Sequence, residues 1–172
     1  MPVSEFDALL NTWEQEAQKT LGLLQALPKD KYDFRPDAGG RSLGELAWHL
    51  AEGDAYMTFG IEQGGFSFDM PKPPGIERPG KVEELAPAYE RVHRDAIERI
   101  RKLGPAVLDR QFDFFIPGDW TGSAILWRAM LYHNIHHRGQ LTLMCRLAGG
   151  TPPGMFGPTR EEMAASRETG AG

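Results

Sequence analysis

Cysteine is nearly absent from this chain: the single Cys145 permits no internal disulfide, so packing and hydrogen bonds must hold the fold, as expected in a reducing compartment. No apolar run approaches the ~20 residues needed to span a bilayer, and the opening stretch MPVSEFDALL has neither the basic cluster nor the unbroken apolar segment of a secretory leader. Both absences lead to the expectation of a cytoplasmic protein without a membrane partner. Bases are the minority charge, 19 against 24 acids for a net −5. They are scattered along the chain, which excludes the basic stripe a nucleic-acid binder requires. Internal repeats and low-complexity tracts are also missing. What is present is 172 residues, 41% apolar and 25% charged, the balance of an ordinary compact chain and the length of one domain, 1–172.

Apolar residues recur at steps of three and four in four long stretches, the mark of amphipathic helices. The first runs from Ser4, as cap, to Leu27, and Pro28 ends it. A second opens at SLGE, where Ser42 and Glu45 can cap each other's backbone amides, and is expected to reach about Glu62. The third extends from Val82 to Leu103, with Pro87 in its first turns or kinking it, and stops at Gly104-Pro105. The fourth covers Ser123 to Ala148, and a short last helix is expected from Thr159 with Glu162 as its box partner. Between the second and third lies a segment rich in glycine and proline, GGFSFDMPKPPGIERPG, which excludes a helix interior or a central strand and reads as a long crossover loop. FDFFIPGDW reads as a short strand or a loop over one end. The fold class is all-α: a four-helix bundle, whose sites are built from side chains of facing helices.

Three of the five histidines fall within LYHNIHHRGQL, inside the fourth helix. At 100° per residue from Leu126, His133 stands at about −20° and His137 at about 20°, in the middle of the apolar stripe, with His136 on its flank. A lone histidine on such a face is ordinarily a hydrogen-bonded core residue. Two at i and i+4 bring two donors and two acceptors into the core, and leaving them unpaired costs roughly 1 to 3 kcal/mol each. A metal ion satisfies both acceptors at once, and the spacing lets both rings converge. A third ligand has to come from a neighbouring helix. His49, at the edge of the stripe Leu43, Leu46, Ala47, Leu50 and Met57, is the best placed, whereas His93, set among charged residues, reads as a surface residue. The metalloprotease motif needs a glutamate directly after its first histidine, and here that position is Asn134.

The stretches SLGELAWHLAEGDAY and LYHNIHHRGQLTLMCRLAGGTPP resemble the DinB-like (DinB/YfiT) superfamily of metal-binding four-helix bundles. The resemblance covers nearly the whole chain. Its pattern of histidine, three residues, histidine, then Arg-Gly-Gln matches His133, His137, Arg138, Gly139 and Gln140, and its third ligand matches His49. The resemblance implies an up-down-down-up course and commonly a homodimer. Leu131, Ile135 and Thr142, opposite the histidines, give the fourth helix a second side that a partner copy, or else the first helix or the loop, is expected to cover.

Three imidazoles leave a divalent ion an open position for water or a substrate. Zinc is the expected ion, with nickel or iron as alternatives. By resemblance, relatives include proposed hydrolases and transferases or isomerases that use a low-molecular-weight thiol. The leading expectation is therefore a metal-dependent enzyme of either kind acting on a small-molecule substrate. The alternative is a non-catalytic helical module with a structural or adventitious metal. Gln140 is expected to orient a ligand imidazole, and Asp54 or Glu52 to carry protons, although a plain surface carboxylate is the better reading of Glu52. Trp48, Phe66, Phe68, Trp120 and Phe156 are candidates to roof a pocket, and Cys145 reads as a small buried hydrophobe.

Overall fold

Local hydrogen bonds set where each helix begins and ends. In the computed structural model, which describes residues 3–168, α1 spans Glu5–Ala26 and starts where the Ser4 hydroxyl accepts the Asp7 amide at 3.1 Å. Helix α2 spans Leu43–Gln63 behind the expected capping box: the Glu45 amide donates to the Ser42 hydroxyl at 3.2 Å, and the Ser42 amide to the Glu45 carboxylate at 2.8 Å. It stops at Gly64, whose φ of 86° lies in the left-handed region that a side chain disfavours. Helix α3 spans Val82–Leu103 and absorbs Pro87 in its second turn. Helix α4 runs through 122–147 in three parts: an α-turn Gly122–Ala124 capped by Thr121, a π-helical stretch Ile125–Tyr132, and an α-helix His133–Leu147. The last helix, α5, spans Arg160–Glu168 behind the Thr159 and Glu162 box. The aromatic FDFFIPGDW segment is a loop pinned by one antiparallel bridge, Gln111 to Thr121.

The buried apolar side chains fall into two clusters, and their membership fixes the course of the chain. One cluster joins Leu23 and Leu24 near the end of α1 to Leu43 and Leu50 near the start of α2, Leu85 and Tyr89 near the start of α3, and Leu141 and Cys145 near the end of α4. The other joins Leu9 and Trp13 from the start of α1 to Ile61, Ile97 and Ile100 from the ends of α2 and α3, and Leu126 and Met130 from the start of α4. The helices therefore run up, down, down and up. Parallel neighbours need a long return, which the crossover loop supplies. Trp48 Nε1 donates to the Ile76 carbonyl at 3.2 Å and the Tyr32 hydroxyl to that of Pro79 at 2.6 Å, bringing the loop back to the end of the bundle where α2 began.

A belt of buried polar groups separates the two clusters. Asp54, fully buried, accepts from Trp13 Nε1 at 3.1 Å and Asn134 Nδ2 at 2.8 Å, and pairs with His93 Nδ1 at 2.8 Å. One residue from each of α1, α2, α3 and α4 thus meets at one carboxylate. His93 is a buried residue here, 8% exposed, not the surface residue its charged neighbours imply: its ring lies edge-on to Trp13 and stacks on Tyr89. Asn134 also donates to the Leu50 carbonyl at 3.1 Å. Gly53 makes that approach possible, because a Cβ there would fall inside the envelope of Asn134 Oδ1. Beside the belt, buried Arg138 clamps the Glu16 carboxylate and carbonyl. Burial raises the Glu16 pKa, but hydrogen bonds from Lys19 and Arg138 outweigh it and hold the carboxyl below its ordinary value.

Two outcomes follow from the belt. Gly53→Ala should lower stability by about 2 kcal/mol, read as a fall in Tm of about 4 to 8 °C, because Asn134 must leave both its partners; an unchanged Tm would contradict the packing described. For Glu16 the depressed folded pKa means stabilisation present above the unfolded value, near 4.3, and lost as pH falls through the folded value. Glu16→Gln should therefore cost about 2 kcal/mol at pH 7, and chemical denaturation at pH 7 and at pH 3 should show the gap from wild type narrowing in acid.

Candidate metal centre

His49, His133 and His137 come together in the groove between α2 and α4. Nε2 of His49 lies 3.1 Å from Nε2 of His133, and the ring centres of His137 stand 4.8 Å from His49 and 4.3 Å from His133. One ring nitrogen from each residue falls within 4.8 Å of the others. All three side chains are half-buried.

The helical wheel places His133 and His137 in the middle of the buried stripe; the structure gives that place to Asn134 and Arg138, 9% and 3% exposed. The π-helical stretch Ile125–Tyr132 is the reason. Its i to i+5 bonding takes more residues per turn than an α-helix, so everything after it lags in phase behind a count at 100° per residue. The lag moves both histidines from the core centre to its rim, facing α2, where solvent and ligands have access. His136, as its flank position implies, is exposed.

Outer contacts orient the rings. Glu52 lies 3.1 Å from His49 Nδ1 and the Gln140 side-chain oxygen 2.7 Å from His137 Nδ1. A carboxylate and a carbonyl oxygen can only accept, so each Nδ1 carries the proton and leaves Nε2 as the free lone pair. Gln140 in turn donates to His136 Nε2 at 3.1 Å. Gln140 thus takes the orienting contact expected of it, while Glu52 is a partner of His49 and not a plain surface carboxylate; its i+3 spacing on one helix was the available signal. Asp54 is fully buried and bonded to Trp13, His93 and Asn134 rather than to one of these three histidines.

Burial pushes the His133 pKa down to about 4, and the neighbouring His137 and His49 add to the shift. His137 is lowered as well, by burial first and against the opposing bond to Gln140. Both imidazoles are therefore neutral at pH 7, the state in which a ring nitrogen can bind a metal. Three converging imidazoles, two of them with the second nitrogen oriented by Glu52 and Gln140, fit a divalent ion and supply fewer protein ligands than a closed structural site has.

His49 and His133 also line a cavity of about 880 Å³ closed by the crossover loop and the loop before α4. Of the aromatics proposed as a roof, Phe66, Phe68 and Trp120 line it. Trp48 is core, and Phe156 lies under the Lys19 ammonium at 3.8 Å. Sequence reasoning passed over Phe114, Phe115 and Arg128, which also face the cavity. His137 edges a smaller hollow of about 210 Å³ with Arg41 and Asp37. Cys145 is fully buried, consistent with a small hydrophobe, and burial raises its thiol pKa.

Among the described residues no helix is long and apolar enough to cross a membrane. The chain is 27% identical over 159 residues to the uncharacterized protein YrdA of Bacillus subtilis (strain 168), an overlap of 92% of each. Its fold is similar to the crystal structure of a DinB-like protein from Bacillus cereus, with a TM-score of 0.71 and 26% identity over 86% of this chain and 95% of that one. A DinB-like protein of Bacillus subtilis shares the fold at a TM-score of 0.69 and 24% identity, over 89% of this chain and 99% of the other. The DinB family model matches residues 1–170, and the chain belongs to the DinB family.

Proposed function

We propose that this protein is a metal-dependent enzyme, a low-molecular-weight-thiol transferase or a hydrolase, whose divalent ion is held by His49, His133 and His137. The observation that carries the reading is the convergence of three half-buried imidazoles, two of which, His49 and His133, line a large apolar cavity. A structural zinc site uses four protein ligands and no cavity, so the alternative of a purely structural metal has less support. A divalent ion there would act as a Lewis acid toward a substrate oxygen, or lower the pKa of a water or thiol. The chain's own residues have simpler tasks. Glu52 and Gln140 fix the tautomers of His49 and His137, and the aromatic walls give a substrate apolar surface to pack on beside His49 and His133. Zinc is the favoured ion and nickel or iron the alternatives.

We also propose a homodimer through the outer face of α4. Leu131, expected on that face, is in fact buried in the core, and Ile135 and Thr142 are partly covered. Leu143 and Leu147, 60% and 57% exposed and one turn apart, stand on the outer face in their place, with Tyr132, 57% exposed, nearer the start of the helix. Exposed leucines paired on a surface helix are apolar area that association would bury.

Elemental mass spectrometry on untagged protein should find about one ion per chain by this three-ligand reading. His49→Ala and His133→Ala should lose it, and Gln140→Ala should weaken zinc binding about tenfold in competition with a chromophoric chelator. An empty wild type that cannot be reloaded with zinc, nickel or iron would end the enzyme reading. In sedimentation analysis the wild type should run as a dimer and Leu143→Glu as a folded monomer; a monomeric wild type would remove the second proposal.

A further inference from the structure

We infer that the cavity beside the three histidines takes a small molecule with an apolar, ring-bearing body and a carboxylate, the body lying among Phe66, Phe114 and Trp120 and the carboxylate on Arg128. The position of the reacting group rests on the proposed metal centre; recognition of the body and the carboxylate does not.

The walls dictate the body. Phe66 and Phe114 meet edge to face at 4.9 Å, Phe114 and Trp120 lie 4.5 Å apart, and Phe68 and Phe115 close the mouth at 4.8 Å. Offset and edge-on rings present both faces and edges to a guest, which favours an aromatic over a polar one. Phe68, Phe115 and Ile116 are 92%, 40% and 59% exposed, apolar surface left at the entrance of a cavity and not scattered over the molecule.

The charges dictate the headgroup. Lys72 and Arg128 line the cavity against one carboxylate, Glu52, which is engaged by His49. Among the described residues neither cation has a carboxylate partner. Arg128 is held over the Trp120 ring at 5.0 Å, a contact that restrains the guanidinium while leaving its donors free. Its planar fork suits a carboxylate better than the point charge of Lys72. Arg128 precedes His133 by five residues on the same helix, about one turn of the π-helical stretch. That spacing separates the anionic end of the guest from the end at the histidines.

The test is calorimetric binding of 4-phenylbutyrate, 4-phenylbutanamide and butyrate to the full chain, both chelator-stripped and zinc-loaded. Stripped wild type should bind phenylbutyrate about tenfold more tightly than the amide, and butyrate more weakly than either. Arg128→Gln should abolish the preference for the acid, and Arg128→Lys should restore part of it. Equal affinity for acid and amide, or an undiminished preference in Arg128→Gln, would overturn the carboxylate assignment; no binding of either phenyl compound to stripped or loaded protein would overturn the whole inference. Arg128-dependent binding in a protein whose metal content ignores the histidine substitutions would uphold this inference while removing the metal reading. An ion in place without phenylbutyrate binding would do the reverse.

Discussion

The carboxylate of Asp54 is the constraint on which the rest of the bundle depends. Helices packed only by leucine and isoleucine can slide or rotate at small cost, because one apolar contact replaces another. A buried carboxylate allows no such freedom. Its partners come from three other helices, Trp13 from α1, His93 from α3 and Asn134 from α4, and each charge-assisted bond contributes on the order of 1.5 to 3 kcal/mol. Slipping any helix by a turn would leave a buried charge short of partners, which costs more than the bundle can offset elsewhere.

That register is what brings the histidines together. His49 lies five residues before Asp54 on α2, and His133 directly precedes Asn134 on α4. Asn134 ties the two helices by bonding both Asp54 and the Leu50 carbonyl, with Gly53 clearing the space between them. The polar belt and the histidine cluster are thus two faces of one α2 to α4 contact. One is dry and structural; the other opens to a cavity. Such a division suits a metal centre, since ligands positioned by a rigid scaffold keep their geometry while the side facing the ligand stays accessible.

The cavity shows a complementary logic. Its floor is the rigid pair of helices that carries His49 and His133, and its roof is two long connections rich in glycine, proline and aromatic residues. The crossover loop exists because α2 and α3 run parallel, so the same topology that requires a long return also supplies the covering of the site. Loops of this composition do not sustain a long helix or a central strand, and their aromatic side chains pack on one another over the groove.

Helix existence and extent were legible because they rest on local chemistry: the Ser42 and Glu45 box, the Ser4 and Thr159 caps, the break at Gly104 and the apolar periodicity all act within a few residues. The His133 and His137 pair was legible for the same reason, since i, i+4 neighbours share a helix face whatever surrounds them, and the stripe of α2 made His49 the natural third member. Longer-range facts were not. His93 sits among charged residues in sequence yet is buried, because its partner is 39 residues away in the chain. The π-helical turn that shifts His133 to the rim, and Asn134 and Arg138 to the centre, has no local signature at single-residue steps. The sequence by itself determined which segments are helical and which donors lie one turn apart; the tertiary structure alone decided which faces are buried and which charges meet, because those depend on free energies shared between residues that only the folded register brings into contact.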